Sequence, residues 1–231
     1  MAQKLVLPHS AQNIWFMRTG FTPHGLFHIY QKERALKKFF LSYYSRDDLA
    51  AVEQTSINQL HLSGVFLSKQ VIKPSSFFVS PYKRSKQSAK IILEHLTDKP
   101  KVEVLDNLRP IDLGINAMLT DAGLHKYQPM EYERKRRENQ LYYRPSCGES
   151  LVDMYNRSKI DVMNAVIGNK DNILFITHGL NISMILGILY GYSLDKIWHN
   201  YQKDAIKHGA LICLQKQANN TYGQLLYNHL A

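Results

Sequence analysis

Residues 173–179 read Ile-Leu-Phe-Ile-Thr-His-Gly, a short apolar run that ends in two polar residues and a glycine. A strand that is apolar at nearly every position is typical of a sheet covered by helices on both faces. Four more short apolar runs alternate with longer helical patterns: Ile14–Met17, Phe77–Ser80, Val102–Leu105 and Ala210–Leu214. This alternation predicts an α/β fold, a three-layer sandwich in which helices flank a mostly parallel central sheet.

Apolar residues at helical spacing lie between these runs. They predict helices from Leu49 to Leu67, from about Tyr82 to Leu96, from near Ser146, and after Gly179. Ser146 and Glu149 have the spacing of a capping box, so we expect the third helix to begin there. Residues from about 116 to 144 show the least regular pattern, and we interpret them as a cap excursion from one domain spanning residues 1–231.

The charge balance favours anionic partners. The chain has 231 residues and a formal net charge of +10, which suits phosphate, nucleic acid or anionic lipid. Cys147 and Cys213 have no metal-ligand spacing, so we expect no metal. No secretory signal or transmembrane segment is evident, because the longest apolar stretch, Ile182–Tyr192, is well short of the ~20 residues that span a bilayer. A cytoplasmic protein is therefore expected, while its oligomeric state is open.

Basic side chains follow the predicted strands. Arg18 comes directly after the first strand, Arg84 shortly after the second, and His178 after the fourth. The carboxyl ends of parallel strands meet at one edge of a sheet, so these three side chains should lie together. Two guanidiniums, an imidazole and the N–H groups of helix N-termini suit a dianion such as phosphate.

Five segments, in this order, resemble the motifs of the histidine phosphatase superfamily, which contains the cofactor-dependent phosphoglycerate mutases and related acid phosphatases. They are Arg18-Thr-Gly-Phe-Thr22, Ser80-Pro-Tyr-Lys-Arg-Ser-Lys-Gln-Ser-Ala89, Leu108-Arg-Pro-Ile-Asp-Leu-Gly114, Arg144-Pro-Ser-Cys-Gly-Glu-Ser150 and Thr177-His-Gly179. The resemblance implies the phosphoglycerate mutase-like fold and no bound cofactor. It also implies a phosphate site formed by Arg18, Arg84 and His178, with Thr22 and Gly179 beside them.

Two positions depart from the family pattern. Thr19 stands where the family has its nucleophilic histidine, and Pro110 stands where it has the glutamate that protonates the leaving oxygen. A threonine hydroxyl needs a neighbouring base to react, and proline has no proton to donate. We therefore expect a pseudophosphatase that binds a phosphorylated small molecule or phosphoprotein.

Two alternatives stay open at this point. One is an active phosphomonoesterase with substitute groups: Asp112 as the acid, or His24 or His178 as the nucleophile. The other is a basic interaction module with a vestigial pocket, which binds nucleic acid, anionic lipid or protein through residues 134–137. The surrounding run, Glu131–Glu138, is also expected to form a solvated helix with Glu131–Lys135 and Glu133–Arg137 pairs.

Overall fold

The computed structural model describes residues 6–7, 9–22, 51–117 and 119–231. His24 lies outside these residues, so its suggested role as a nucleophile stays a prediction. The start of the first predicted helix, at Leu49, also lies outside them.

A six-stranded sheet forms the centre of the described structure. Its strands are β1 (Asn13–Arg18), β2 (Ser76–Val79), β3 (Lys101–Val104), β4 (Ile173–Thr177), β5 (Leu211–Lys216) and β6 (Tyr222–His229). Their order is β3-β2-β4-β1-β5-β6. The pairs among the first four are parallel, whereas β5 runs antiparallel to both β1 and β6. The predicted mostly parallel α/β sheet is therefore confirmed, with an antiparallel addition at one edge.

Seven α-helices accompany this sheet in the described ranges. They are α1 (Gln54–Ser68), α2 (Lys83–Glu94), α3 (Asp121–Tyr127), α4 (Pro129–Arg137), α5 (Leu151–Gly168), α6 (Gly179–Leu189) and α7 (Leu194–Lys203).

Alternate residues of the central strands pack against different helices. Phe16 of β1 belongs to an apolar cluster with residues of α5 and α6, whereas Trp15 belongs to another with residues of α1 and α2. All five residues of β4 are buried, as expected for a strand covered on both faces. The edge strand β3 differs from these central strands, because each of its four residues is exposed.

The predicted start of α5 was wrong by one turn. Ser150 is the N-cap: its side chain accepts from the backbone N–H of Asp153, whose carboxylate accepts from the backbone N–H of Ser150 in return. The exposed Cys147 has a left-handed backbone with φ of 59°, which is not helical. The Ser146 and Glu149 side chains make longer-range contacts instead of a capping box.

The expected irregular excursion contains two helices, α3 and α4. The charged run forms α4, and Arg137 contacts Glu133 at 3.9 Å as predicted. The Glu131–Lys135 pair was wrong, since Lys135 contacts Asp121 at 2.7 Å. Glu131 is buried and accepts hydrogen bonds from Arg134 and Tyr143.

None of the helices described here is long and apolar enough to cross a membrane. The last strand, β6, had no counterpart in the sequence prediction; it is an edge strand in which only the first residue, Tyr222, is buried.

Candidate functional site

The carboxyl ends of β1, β2 and β4 lie side by side, as the sequence analysis expected. Arg18 is paired in register with Thr177, and the backbone N–H of Ser80 donates to the carbonyl of Ile176. The three predicted side chains then follow at one edge: Arg18 ends β1, Arg84 lies in the first turn of α2, and His178 is the N-cap of α6. We call Arg18, Arg84 and His178 the strand-end cluster.

His178 lies at the centre of this cluster and is buried. Its Nδ1 lies 3.4 Å from Nη2 of Arg84, and its Nε2 lies 2.9 Å from the Ser80 hydroxyl. A guanidinium can only donate, so Nδ1 must accept, and the ring proton is on Nε2, which donates to Ser80. Burial lowers the pKa of His178 well below its usual value, and the charges of Arg84 and Arg18 lower it further. The imidazole is therefore neutral near pH 7.

Tyr82 completes the wall around His178 and Arg84. Its ring stands edge-on to the imidazole with centroids 5.5 Å apart, and the Arg84 guanidinium carbon lies 4.8 Å from its centroid. The face of the Tyr82 ring attracts the Arg84 guanidinium without neutralising its positive charge.

Arg18 packs against the glycine that opens α6. A Cβ built on Gly179 would lie 3.2 Å from Nε and 3.3 Å from Cζ of Arg18, so a side chain there would press on the guanidinium. Nη1 of Arg18 donates to the backbone carbonyl of Ile206. Burial lowers the pKa of Arg18, with an opposing effect of Tyr201 and a further lowering by Arg84. The two guanidiniums are thus close enough to repel each other.

His208 is a member of this site that the sequence analysis missed. Its Nδ1 lies 3.0 Å from the carbonyl oxygen of Thr19, which can only accept, so Nδ1 carries the proton. The ring contacts Phe21 edge-on at 4.5 Å between centroids. Burial lowers the pKa of His208 to about 4, and the charge of Arg18 contributes. Near neutral pH the ring is therefore neutral, with its lone pair on Nε2.

Thr19 and Thr22 are both buried next to the end of β1. The backbone N–H of Thr19 donates to the Thr177 carbonyl at 2.9 Å, which continues the β1–β4 pairing past the strand. Gly20 is confined at this bend: its N–H donates to Ser88, and a Cβ would lie 2.5 Å from Val52.

The loop that carries Pro110 and Asp112 is held by a second group of charges. Glu149 accepts from Nε and Nη2 of Arg157 at 2.8 and 2.9 Å, and from Arg109 at 2.8 Å. We call Glu149, Arg157 and Arg109 the Glu149 cluster. Burial alone would raise the pKa of Glu149, but hydrogen bonds from Arg157 and from the Asp112 backbone hold it below its usual value.

Pro110 contributes only its carbonyl, which accepts from Arg157 at 2.9 Å. Asp112 is exposed, and its carboxylate accepts from the backbone N–H of Gly114 at 2.8 Å. Its role as a substitute acid stays a prediction, and the described contacts of its side chain do not include the strand-end cluster.

In the described ranges, no group of three or more His, Cys, Asp or Glu side chains is arranged to hold a metal ion. The chemistry available at this edge is that of the buried Arg84, the half-buried Arg18, two neutral imidazoles and the N-terminus of α6. Such an arrangement can hold an oxyanion and compensate its charge.

Comparison with known proteins adds a family and a set of folds. The model of the histidine phosphatase superfamily, branch 1, matches residues 43–217. No curated protein matches the chain.

Three solved structures resemble the chain over nearly its whole length. The alpha-ribazole phosphatase from Shigella flexneri has a TM-score of 0.74 and 17% identity, with 95% of this chain and 98% of that chain covered. YhfR from Bacillus stearothermophilus has a TM-score of 0.72 and 16% identity, with 96% of this chain and 98% of that chain covered. The mycobacterial glucosyl-3-phosphoglycerate phosphatase has a TM-score of 0.65 and 18% identity, with 96% of this chain and 100% of that chain covered. At these identities the likeness establishes the fold.

Proposed function

The chain belongs to branch 1 of the histidine phosphatase superfamily, and from that premise we propose that it binds a phosphate monoester dianion without efficient turnover. The observation that carries the proposal is the convergence of Arg18, Arg84 and His178 beside the N-terminus of α6, with Thr19 and Pro110 at the two reactive positions. The two guanidiniums carry charge opposite to that of the ligand. The histidine and glutamate that would cleave the ligand are replaced by Thr19 and Pro110.

Each replacement weakens a separate chemical step. The described contacts of Thr19 are those of its backbone: its N–H donates to Thr177, and its carbonyl accepts from Nδ1 of His208. None of these contacts takes a proton from its hydroxyl. Pro110 has no ionisable group, and losing acid assistance typically costs a factor of about 10²–10⁴ in rate. Charge stabilisation without a nucleophile favours a bound ligand over a reaction.

Binding is tested with inorganic phosphate and with orthovanadate, by titration calorimetry and thermal shift. A ligand at 100 times its Kd stabilises the folded chain by about 2.7 kcal/mol. We expect Arg84→Ala to abolish this shift. Lys83→Ala is the matched control, because Lys83 precedes Arg84 on α2 but is exposed. Equal shifts in both variants would refute the proposal for this site.

Turnover is tested with 4-nitrophenyl phosphate between pH 4 and pH 9. We expect hydrolysis no faster than that of an Arg18→Ala control. Robust turnover that Arg18→Ala removes would contradict the pseudophosphatase part of the proposal and leave the anion site intact.

The position of His208 supports a second candidate function, a slow phosphomonoesterase in which this residue replaces the family's nucleophile. Its Nδ1–H is held by the Thr19 carbonyl, so the lone pair of Nε2 is available. Nε2 would form a bond to phosphorus as the ester P–O bond breaks and a phenolate leaves without needing a proton. Water would then break the P–N bond, giving phosphate and releasing a proton to solvent.

An acid-labile, base-stable phosphoryl label on the protein would support this candidate. The label should vanish in His208→Asn and persist in His199→Asn, because His199 is an exposed histidine on the nearby α7. Turnover that survives His208→Asn would overturn it.

The basic interaction module is less well supported. Within residues 134–137, Arg134 contacts Glu131 and Glu138, Lys135 contacts Asp121, and Arg137 contacts Glu133. These neighbouring carboxylates reduce the positive potential that a polyanion would meet.

A further inference from the structure

A cavity of about 300 Å³ lies between helices α6 and α7 and the edge strand β6. Its apolar part is formed by Leu186 and Gly187 of α6 and by Ile197 of α7. The two helices are in direct contact here, and a side chain on Gly187 would collide with Ile197. The strand-end cluster does not line this cavity. A volume of this size is at the lower end of the usual range for small-molecule sites and suits one compact ring system.

Three tyrosines surround the apolar part of the cavity. The ring centroids of Tyr190 and Tyr192 lie 5.6 Å apart, with 35° between the ring planes. Nζ of Lys196 lies 3.7 Å from the Tyr192 centroid but Lys196 does not line the cavity, so it holds this ring from outside. Tyr227 reaches the cavity from β6. Flat rings stack well on aromatic faces of this kind.

The tyrosine walls are uncharged near neutral pH. Burial raises the pKa of Tyr190 to about 12, and Tyr192 contributes. Burial also raises the pKa of Tyr227, and so does the Asp204 carboxylate that accepts a hydrogen bond from it. This hydrogen bond joins β6 to the end of α7 across the cavity.

Two side-chain amides at the rim have unused hydrogen-bonding capacity. Asn200 of α7 and Gln224 of β6 both line the cavity and are exposed, and neither amide makes a hydrogen bond within the described residues. An amide presents a donor beside an acceptor, so it pairs with a ring edge that carries the same two functions. Lys203 and Asp204 add one charge of each sign, which leaves the rim without net charge and favours an uncharged ligand.

We propose that this cavity binds a planar nitrogen heterocycle of the nucleobase type. The ring lies against the tyrosines, and its hydrogen-bonding edge faces Asn200 and Gln224. The aromatic walls alone would accept any flat ring, whereas the amides select a ring with a donor and an acceptor on its edge. The inference goes beyond the proposed function and does not depend on it, because the strand-end cluster takes no part in this site.

The test is titration calorimetry on the full chain with adenosine, uridine, ribose and benzyl alcohol. None of these probes carries a phosphate, so the strand-end cluster has nothing to bind. Ribose lacks the flat ring, and benzyl alcohol has a ring without the hydrogen-bonding edge. We expect a Kd below about 1 mM for at least one nucleoside, binding of benzyl alcohol at least tenfold weaker, and no measurable binding of ribose. Failure of both nucleosides, or benzyl alcohol binding as tightly as they do, would overturn the proposal.

Two variants locate the binding in this cavity. Gln224→Met removes one amide and should weaken nucleoside binding by roughly fivefold while leaving benzyl alcohol binding unchanged. Tyr192→Leu keeps an apolar side chain but removes a ring, and it should weaken binding of both ring probes by about tenfold.

Gln202→Met is the matched control, because Gln202 is an exposed glutamine of α7 that does not line the cavity. Thermal unfolding of each variant shows that it is folded, and Gln224→Met changes only an exposed side chain. Nucleoside binding that Gln224→Met retains in full, or that Gln202→Met weakens equally, would overturn the assignment to this cavity.

Discussion

The strand-end cluster and the Glu149 cluster each hold two arginines at the same edge of the sheet, but different groups surround those arginines. In the Glu149 cluster a carboxylate accepts from both guanidiniums. In the strand-end cluster no carboxylate of the described residues lies within ion-pair distance of Arg18, which donates to a peptide carbonyl. Arg84 contacts a neutral imidazole and an aromatic ring.

This difference separates a structural use of charge from a binding use. Glu149 satisfies its arginines within the protein and fixes the loop around Pro110. In the strand-end cluster, Arg18 is half-buried and pairs with no carboxylate of the described residues, so an anion bound beside it would compensate its charge. The first cluster should therefore support stability, and the second should support ligand binding.

The largest expected effect comes from opening the Glu149 cluster. Arg157→Met leaves Glu149 without its bidentate partner, and removing one member of such a pair typically costs about 3–5 kcal/mol of unfolding free energy. Urea denaturation measures it. Arg144→Met is the control, because Arg144 contacts Asp153 with 62% of its side chain exposed, and such surface pairs contribute less than about 1 kcal/mol. Equal losses would mean that burial of the Glu149 cluster contributes nothing.

Arg18→Met should weaken ligand binding strongly and change the unfolding free energy little, the reverse of Arg157→Met. Loss of a half-buried cation that would contact the bound anion should weaken phosphate binding by about 3 kcal/mol, more than 100-fold in Kd. The unfolding free energy without ligand should change by less than about 1 kcal/mol, since Arg18 pairs with no carboxylate of the described residues. Calorimetry and urea denaturation on the same variant give both values. A loss of stability as large as that of Arg157→Met would break the comparison.

Acid should affect the Glu149 cluster and the histidines at the strand ends, His178 and His208, in different pH windows. The unfolded chain binds a proton at His208 near pH 6.5, whereas the folded chain does so only near pH 4. Between these values the unfolded chain is favoured as the pH falls, and the unfolding free energy should drop by about 2 kcal/mol. The lowered pKa of Glu149 acts only below about pH 4.5. His208→Asn should reduce the slope between pH 6.5 and pH 4 without removing it, because the pKa of His178 is also lowered and contributes in the same window. Urea denaturation at fixed pH values measures the slope. An unchanged slope would show that His208 does not contribute to the pH dependence of the unfolding free energy.

The smallest expected effect concerns Ser80. Ser80→Ala removes the acceptor of the His178 Nε2–H at 2.9 Å and leaves a buried donor without it. We expect a loss of about 1 kcal/mol in unfolding free energy, measured by thermal or urea denaturation. Phosphate should partly restore the loss by offering His178 another acceptor. Ser75→Ala is a suitable control, because the Ser75 hydroxyl makes an exposed contact with a backbone carbonyl.

The sequence was sufficient to predict those site residues that follow a parallel strand. Arg18, Arg84 and His178 each follow a parallel strand, and parallel strands bring their carboxyl ends to one edge. His208 could not be found by that rule because it precedes β5. Since β5 runs antiparallel to β1, with Leu211 opposite Met17, its amino-terminal flank reaches the same edge. Strand direction is set by long-range pairing, which local pattern does not reveal.

The start of α5 shows a similar limit. Ser146 with Glu149 and Ser150 with Asp153 both have the spacing of a capping box, so local pattern offers two starts one turn apart. Arg157, two turns into the helix, decides between them by engaging the Glu149 carboxylate. In α4 the buried Tyr143 draws Glu131 away from Lys135 in the same manner.

The two cysteines of this chain differ enough in exposure for one of them to be labelled selectively. Cys213 is buried in β5 with the pKa of its thiol raised to about 12, whereas Cys147 is exposed in the turn before α5. A maleimide dye at neutral pH would accordingly attach at Cys147, whose backbone lies against Gly114 at the end of the loop that carries Pro110 and Asp112. Changes in its emission can report on ligand entry in the unmutated protein, without an engineered labelling position.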